Sequence, residues 1–176
     1  INGNVSEGND YLKLAYSLPL GRDGARGGIS TSAMNYKLLG ELAVLEAKGD
    51  AQTYGINGSY PIQRSGSQIM TVSGALDRKN YYNEAAQLAT SEKQVDVLTL
   101  VLSGDRVDGF GHGGYTLWGV TLTSGRLDLS GNATAQNADQ IGPQAEGSYT
   151  KLGYNLARLQ RLSNATTLWV SLSGQF

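Results

Sequence analysis

Apolar and polar side chains alternate along much of this chain, and alternation places every second residue on the same face of an extended strand. In YLKLAYSLPL, the apolar or aromatic positions run from Leu12 to Leu20 at intervals of two, with Lys13 and Ser17 between them. The segments QTYGINGSYPI, TKLGYNLARL and TTLWVSLSGQF alternate in the same way. Four stretches read less regularly as strands, at about 25–37, 67–77, 94–103 and 114–124. The pattern therefore predicts about eight strands, many of them longer than the five or six residues usual in soluble proteins.

The predicted connections differ in length. Short ones are expected at 21–24, 63–66 and 163–164, a medium one at 104–113, and long ones at 39–50, 78–93 and 125–147. The segment ELAVLEAKGD is expected to form a helical turn. Long strands joined by alternating short and long connections are typical of an outer-membrane β-barrel.

The same pattern has a consequence for the chain ends. With eight strands and short turns in the periplasm, both ends would lie on the side of the long connections. We therefore expect an all-β fold, an antiparallel transmembrane β-barrel, in which this chain is part of a larger barrel.

Composition excludes several other classes of protein. The 176 residues include 24 glycines, ten tyrosines and one histidine, with no cysteine and a net charge of −1. A chain without cysteine cannot form disulfides, a thiol nucleophile or thiolate metal sites, and a single histidine gives little scope for acid–base catalysis. The near-zero charge shows no electrostatic footprint for nucleic acid. We expect neither an enzyme nor a cofactor.

Motifs that could carry chemistry have simpler explanations here. Residues 109–114 fit G-x-G-x-x-G, but the strand-like YTLWGVTLT follows them instead of a helix, which predicts a flexible turn. Asp105 and Asp108 are expected to be solvated on that glycine-rich turn. Asp128 is expected to form a local ion pair with Arg126, which lies two residues earlier on the same face of a strand.

The aromatic residues of the strands allow two structural interpretations. In a soluble β-sandwich they would be core, whereas in a barrel they form girdles at the membrane interfaces. Strand length and the asymmetry of the connections favour lipid-facing positions. The aromatic residues concerned are Tyr16, Tyr54, Tyr60, Trp118, Trp169 and Phe176.

Several short matches, in order along the chain, resemble one family. They are YKLLGE at 36–41, GDAQTY at 49–54, SYPIQRS at 59–65, LSGD at 102–105, Gly113 with Gly114, TLTSGRLD at 121–128, LQRL at 159–162 and SGQ at 173–175. The chain thereby resembles the haemolysin secretion/activation transporters, the two-partner secretion family of ShlB and FhaC. The resemblance implies a sixteen-stranded barrel of the BamA superfamily in the bacterial outer membrane. It further implies export of a large partner protein, a haemolysin or adhesin, by two-partner (type V) secretion.

The resemblance covers the barrel portion of that family. Family members also carry periplasmic POTRA domains that recognise the partner, and a V-R-G-Y-type motif on a loop that enters the barrel. Neither is found in these residues, so residues 1–176 are expected to form a partial barrel domain. The partners implied are a secreted protein and membrane lipid, without nucleic acid.

The polar face of the predicted strands is expected to line the lumen. Small, replaceable hydrogen bonds and few apolar patches would let an extended polypeptide slide along it. The predicted lumen-lining residues are Lys13, Asn57, Ser59, Thr71, Ser73, Lys151, Asn155, Ser171, Ser173 and Gln175.

Two other classes of function stay open at the level of sequence. A general diffusion porin or a small structural outer-membrane barrel would show the same alternation without a protein partner. A soluble, lipocalin-like barrel would turn the apolar face inward around a ligand.

Overall fold

The computed structural model describes residues 1–6, 8–38, 47–85 and 88–176. Nine strands form one antiparallel sheet, and each strand pairs with its neighbours in sequence order. The strands are β1 (Asn2–Ser6), β2 (Asn9–Leu20), β3 (Ala25–Lys37), β4 (Lys48–Arg64), β5 (Gln68–Ala85), β6 (Leu88–Asp108), β7 (Gly114–Asp128), β8 (Gly147–Arg161) and β9 (Thr167–Gln175). One helix, α1 (Ala133–Ile141), lies between β7 and β8. The predicted all-β antiparallel fold is confirmed.

At one edge of the sheet all four connections are short, whereas the opposite edge carries both long connections together with the close links from β1 to β2 and from β5 to β6. The turns at 21–24, 65–67, 109–113 and 162–166 define the short-turn edge, and the connections at 38–47 and 129–146 belong to the long-connection edge. At the first turn, Gly21 and Gly24 have φ angles of 78° and 83°, values that glycine adopts without a steric penalty.

The sheet is open, because its first and last strands, β1 and β9, have no mutual pairing in the described part of the chain. Strand β1 was missed by the sequence prediction, since NGNVS shows no apolar alternation. It pairs back along β2 with Asn2 opposite Lys13. The start of the chain thus lies beside the middle of β2, and the predicted placement of both ends at the long-connection edge is wrong for this end.

Strands β5 and β6 are longer than predicted. The expected loop at 78–93 is wrong: the ladder continues from Arg78 opposite Asp96 to Ala85 opposite Leu88. Strand β6 also runs on to Asp108, which shortens the predicted 104–113 connection. Polar residues occur on both faces of these strand ends, for example Lys79 and Asn80, so alternation does not reveal them. The predicted helical turn falls mainly on residues 41–46, which lie outside the described residues, and its last three residues begin β4.

Helix α1 was not predicted, although its boundaries carry ordinary signals. The side-chain oxygen of Asn132 accepts the N–H of Ala135 at 3.0 Å, and Gly142 closes the last turn with its N–H on Ala138 O. The buried carboxylate of Asp139 accepts the N–H groups of Ala145 and Glu146, both at 2.9 Å. Among the described residues, no helix is both long and apolar enough to cross a membrane.

The sheet is a single layer with almost no core. In the described chain, Leu129 is the only buried hydrophobic side chain, at 4% exposure. Large apolar side chains elsewhere are open; Tyr16 is 66% exposed and Leu172 is 59% exposed. The strand ladder satisfies the backbone polar groups between the two open edges, but nothing in the sheet covers its apolar side chains. A medium other than water must do so.

At Gly104, groups from both neighbouring strands of β6 crowd the position that a side chain would occupy. A Cβ added there would lie 2.8 Å from the carbonyl oxygen of Ile69 and 2.9 Å from the Trp118 ring. Both distances are shorter than a carbon atom tolerates, and the carbonyl cannot swing aside. Trp118 can lie across this strand only because position 104 has no side chain.

We therefore expect Gly104→Ala to destabilise the sheet by about 1–3 kcal/mol through overpacking. Gly66→Ala is the matched control, because no atom lies within 4 Å of the added Cβ and its effect should stay within about 0.5 kcal/mol. Urea titration of the protein in detergent micelles measures both. Equal effects at the two glycines would show that the close approach at Gly104 contributes nothing.

Candidate functional site

The register divides the sheet into two chemically different faces. Residues directly opposite each other on paired strands share a face, so Leu18 extends through Gly27, Gly58, Gly74, Leu100 and Leu122 to Leu152 in one row. We call this side the apolar face. Its neighbours along each strand form the polar face.

The apolar face carries charged or polar residues at two levels. Arg78, Asp96 and Arg126 lie opposite one another in one row, here called the long-edge rim. Arg106, Thr116 and Arg158 form a second row, the short-edge rim. Between these rims, the apolar face of the described strands carries no charged side chain.

The distance between the rims matches a membrane. Along β6, Asp96 and Arg106 are ten residues apart, which is about 33 Å of strand. With the strand tilt of about 40° found in membrane barrels, this gives a band about 25 Å tall, the height of their apolar belt.

The upper border of the apolar band runs obliquely across the sheet. In β2 the last apolar residue before Asp10 is Leu12, six residues beyond Leu18. In β8 the last one before the polar Thr150 is Leu152, which lies in the row of Leu18. The border thus drops by about 20 Å across six strand spacings of about 4.8 Å. The resulting angle, about 35°, is the strand tilt of transmembrane barrels.

All ten residues predicted to line a lumen lie on the polar face, though at different heights. Ser59 lies opposite Ser73, and Asn155 lies opposite Ser173. Asn57 shares a row with Lys151, and Thr71 shares one with Asn155. Ser171 and Gln175 flank Ser173 on β9, whereas Lys13 is apart on β2. The register brings together most of the set on β4–β5 and β8–β9.

Sequence reasoning missed most of the charge on the polar face. Arg26, Lys79, Lys93 and Arg161 join the predicted Lys13 and Lys151 there, against the carboxylates Asp77 and Asp105. The alternation in β3, β5 and β6 places each of these charges on one face of its own strand. Only the register shows that those faces belong to the same side of the sheet. The polar face is therefore richer in cations than in anions.

Most of the singled-out aromatic residues lie on the apolar face. Tyr54 is at the long-edge rim beside Arg78, and Trp118 is next to the short-edge rim. Tyr16, Tyr60 and Phe176 lie between these levels. Trp169 is the exception, because it lies opposite Leu159 on the polar face.

The short-edge rim is held by a polar cluster around Arg158. Its guanidinium donates to both Asp108 oxygens at 2.8 and 2.9 Å and to Thr116 Oγ1 at 2.6 Å. It also donates to Gln160 Oε1, whose own amide donates to the carbonyls of Phe110 and Gly113 at 3.0 and 3.1 Å. These bonds fix the turn at 109–113 to β8.

Two sequence expectations for carboxylates are corrected here. Asp105 and Asp108 belong to β6 and not to the turn, and their spacing of three places them on opposite faces. Asp108 is bound by Arg158 instead of being solvated, with its side chain 22% exposed.

Asp128 likewise forms a contact other than the predicted one. It accepts the N–H of Ser130 at 2.8 Å, and no Arg126–Asp128 ion pair forms in the described structure. The rim ion pair crosses strands: Arg78 Nε and Nη2 donate to the two Asp96 oxygens at 2.7 and 3.0 Å.

The remaining motif has no binding geometry. Residues 109–114 form a turn that leads into β7 and not into a helix, as predicted from the sequence. Within the described ranges, no group of three or more His, Asp or Glu side chains could hold a metal ion.

Comparison with known proteins agrees with this geometry. The family model described as haemolysin secretion/activation protein ShlB/FhaC/HecB matches residues 2–176. The fold and its two faces define a transmembrane β-barrel protein of the bacterial outer membrane. The chain belongs to the ShlB/FhaC/HecB family, whose members are two-partner secretion transporters and not enzymes. No curated protein and no solved structure matches the chain.

The Arg158 cluster can be tested by removing its carboxylate. Asp108→Ala leaves the guanidinium without its bidentate partner, and we expect a small but measurable decrease in the free energy of unfolding, since the pair is partly exposed. Asp105→Ala, on the other face of the same strand, should have a smaller effect. Urea titration in micelles compares them, and a larger loss for Asp105→Ala would contradict the assigned role.

Proposed function

We propose that this chain forms part of the wall of an outer-membrane pore that exports a secreted partner protein of the haemolysin or adhesin type. The observation that carries the proposal is the separation of the two faces. One face bears an uncharged apolar band of membrane height between two polar rims, while the other bears serine, threonine, asparagine and lysine. Family membership favours a secretion pore over a general porin or a lipocalin-like binding barrel.

In this proposal the apolar face lies against lipid and the polar face lines the lumen. The exposure of neighbouring residues supports a sheet that curves with its polar face on the concave side and its apolar face on the convex side. Thr31 on the apolar face is exposed although Leu14 and Tyr54 lie beside it, whereas Ser30 on the polar face is half-buried among smaller neighbours. Side chains shelter one another on the concave side of a sheet and spread apart on the convex side.

The proposed orientation follows from the connections. Outer-membrane barrels have short periplasmic turns and longer extracellular loops. The short-turn edge would therefore lie in the periplasm, and the long-connection edge with α1 would lie outside the cell. The polar ends of β5 and β6 then extend into water above the membrane.

The work of such a pore is physical and not catalytic. The ladder pairs the backbone groups of neighbouring strands within the sheet, and a membrane-spanning wall also requires that the outer edges of β1 and β9 be paired in a closed barrel. On the lumen side, hydroxyl and amide groups such as Ser59, Ser73 and Asn155 offer an extended polypeptide hydrogen bonds that exchange readily with water. A passing chain thus finds no deep apolar trap.

The assignment of the faces is tested by two neighbouring positions in β8. The chain has no native cysteine, so Asn155→Cys and Leu156→Cys each give a single label. We expect a lipid-chain quencher to reach a fluorophore at 156 and not at 155, and a membrane-impermeant thiol reagent to react faster at 155. A bulky adduct at 155, but not at 156, should reduce pore conductance. Quenching at 155 would reverse the assignment.

The charge of the polar face gives a second, independent expectation. Lys79→Glu changes the fixed charge of the wall by two units, which should shift the reversal potential of the pore toward cation preference. Arg106→Glu makes the same change on the apolar face and should leave selectivity unaltered. Planar-bilayer recordings under a salt gradient measure both. No shift with Lys79→Glu would remove this residue from the lumen.

A further inference from the structure

A depression on the apolar face lies directly beside the long-edge rim. Its volume is about 660 Å³, and its apolar walls are formed by Leu14, Tyr16, Ile29, Tyr54, Ile56 and Leu76. Thr31, a small residue in this row, forms part of its floor, and Arg78 with Asp96 borders one end. The depression therefore combines an apolar trough with an ionic end.

The ionic end has unused hydrogen-bonding capacity. The pair with Asp96 occupies the Nε and one Nη2 donor of Arg78, that is, two of the five N–H donors of a guanidinium. The remaining three have no acceptor among the described side chains. Asp96 also holds the guanidinium in one orientation, which preorganises the free donors.

A second cation lies on the other side of the same carboxylate. Arg126 is exposed and lies directly opposite Asp96 in the strand register. Its guanidinium makes no hydrogen bond or ion pair in the described part of the structure. The row thus carries two guanidinium groups around one carboxylate. Asp128, two residues further along β7, accepts the Ser130 N–H and still interacts electrostatically with Arg126 and Asp96, but its hydrogen bond is to the backbone and not to either guanidinium. This arrangement is complementary to a phosphate, which guanidinium groups bind through paired hydrogen bonds.

We propose that the depression and the long-edge rim bind one phosphorylated lipid of the lipid A class from the outer leaflet. Its acyl chain occupies the trough above Thr31, and its phosphate is held by Arg78 and Arg126. The inference rests on the proposed orientation, in which this face meets lipid and this rim lies at the extracellular interface. Arginine is suited to the role because its stem covers apolar surface while its head stays at the polar boundary.

The test measures lipid A retained by the full-length protein purified from the outer membrane in detergent, quantified by mass spectrometry per mole of protein. The double variant Arg78→Gln, Arg126→Gln should retain about tenfold less, because it loses the charge-assisted hydrogen bonds. Arg106→Gln, at the opposite rim of the same face, is the matched control and should retain the wild-type amount. Heat-modifiable gel mobility checks that each variant is folded.

Filling the trough tests the acyl chain separately. Thr31→Phe leaves both arginines in place, and we expect it to reduce retention as well. Equal retention in wild type and both site variants would overturn the proposal, as would retention of a glycerophospholipid or a protein in place of lipid A. The label at position 156 distinguishes failure of the lipid-site proposal from failure of the proposed orientation. Quenching there with unchanged retention refutes the lipid site alone, whereas absence of quenching refutes the orientation itself.

Discussion

The structure depends on one constraint: a single layer of strands must satisfy its backbone within the sheet and its side chains outside it. The ladder runs through all nine strands, so between its two open edges the backbone has its hydrogen-bond partners within the sheet. The side chains have none, since Leu129 is the only buried hydrophobic residue among those described. A sheet of this kind is stable only where one face meets hydrocarbon and the other meets water, because each leucine left in water would contribute none of the about 1.5–3 kcal/mol that its burial gives.

The same constraint explains how much could be predicted from the sequence. Because side chains alternate with a period of two, segments with one apolar face could be predicted as strands. The polar positions between the apolar ones could be assigned to the opposite face. Residues as distant as Asn57 and Lys151 were predicted separately, and the register places them in one row. Alternation assigns residues to a face but contains no information about the height of one strand against the next. The rims and the oblique border therefore became visible only in the structure.

Where the constraint does not apply, the prediction was wrong. Above the long-edge rim, β5 and β6 continue through Asn80 and Lys93 with polar residues on both faces, since water can solvate either face there. Strand β1 lacks alternation for the same reason. Helix α1 was missed although Asn132 is a good N-cap, because local capping signals are weak beside the strong period of the strands. The contact of Asp108 was missed because its partner Arg158 comes from a distant strand, whereas Asp128 binds the backbone of Ser130 in place of Arg126.

Two glycines of the polar face are covered by side chains of the neighbouring strand. Asn155 lies across Gly119, and Tyr149 lies across Gly125, so that a Cβ at either glycine would come within 2.6 Å of the covering side chain. A large polar side chain folded over its neighbour projects less into the space beside the sheet. The cover also replaces packing that a bare glycine cannot supply in a strand. In the proposed pore, this cover would smooth the part of the wall along which an extended polypeptide moves.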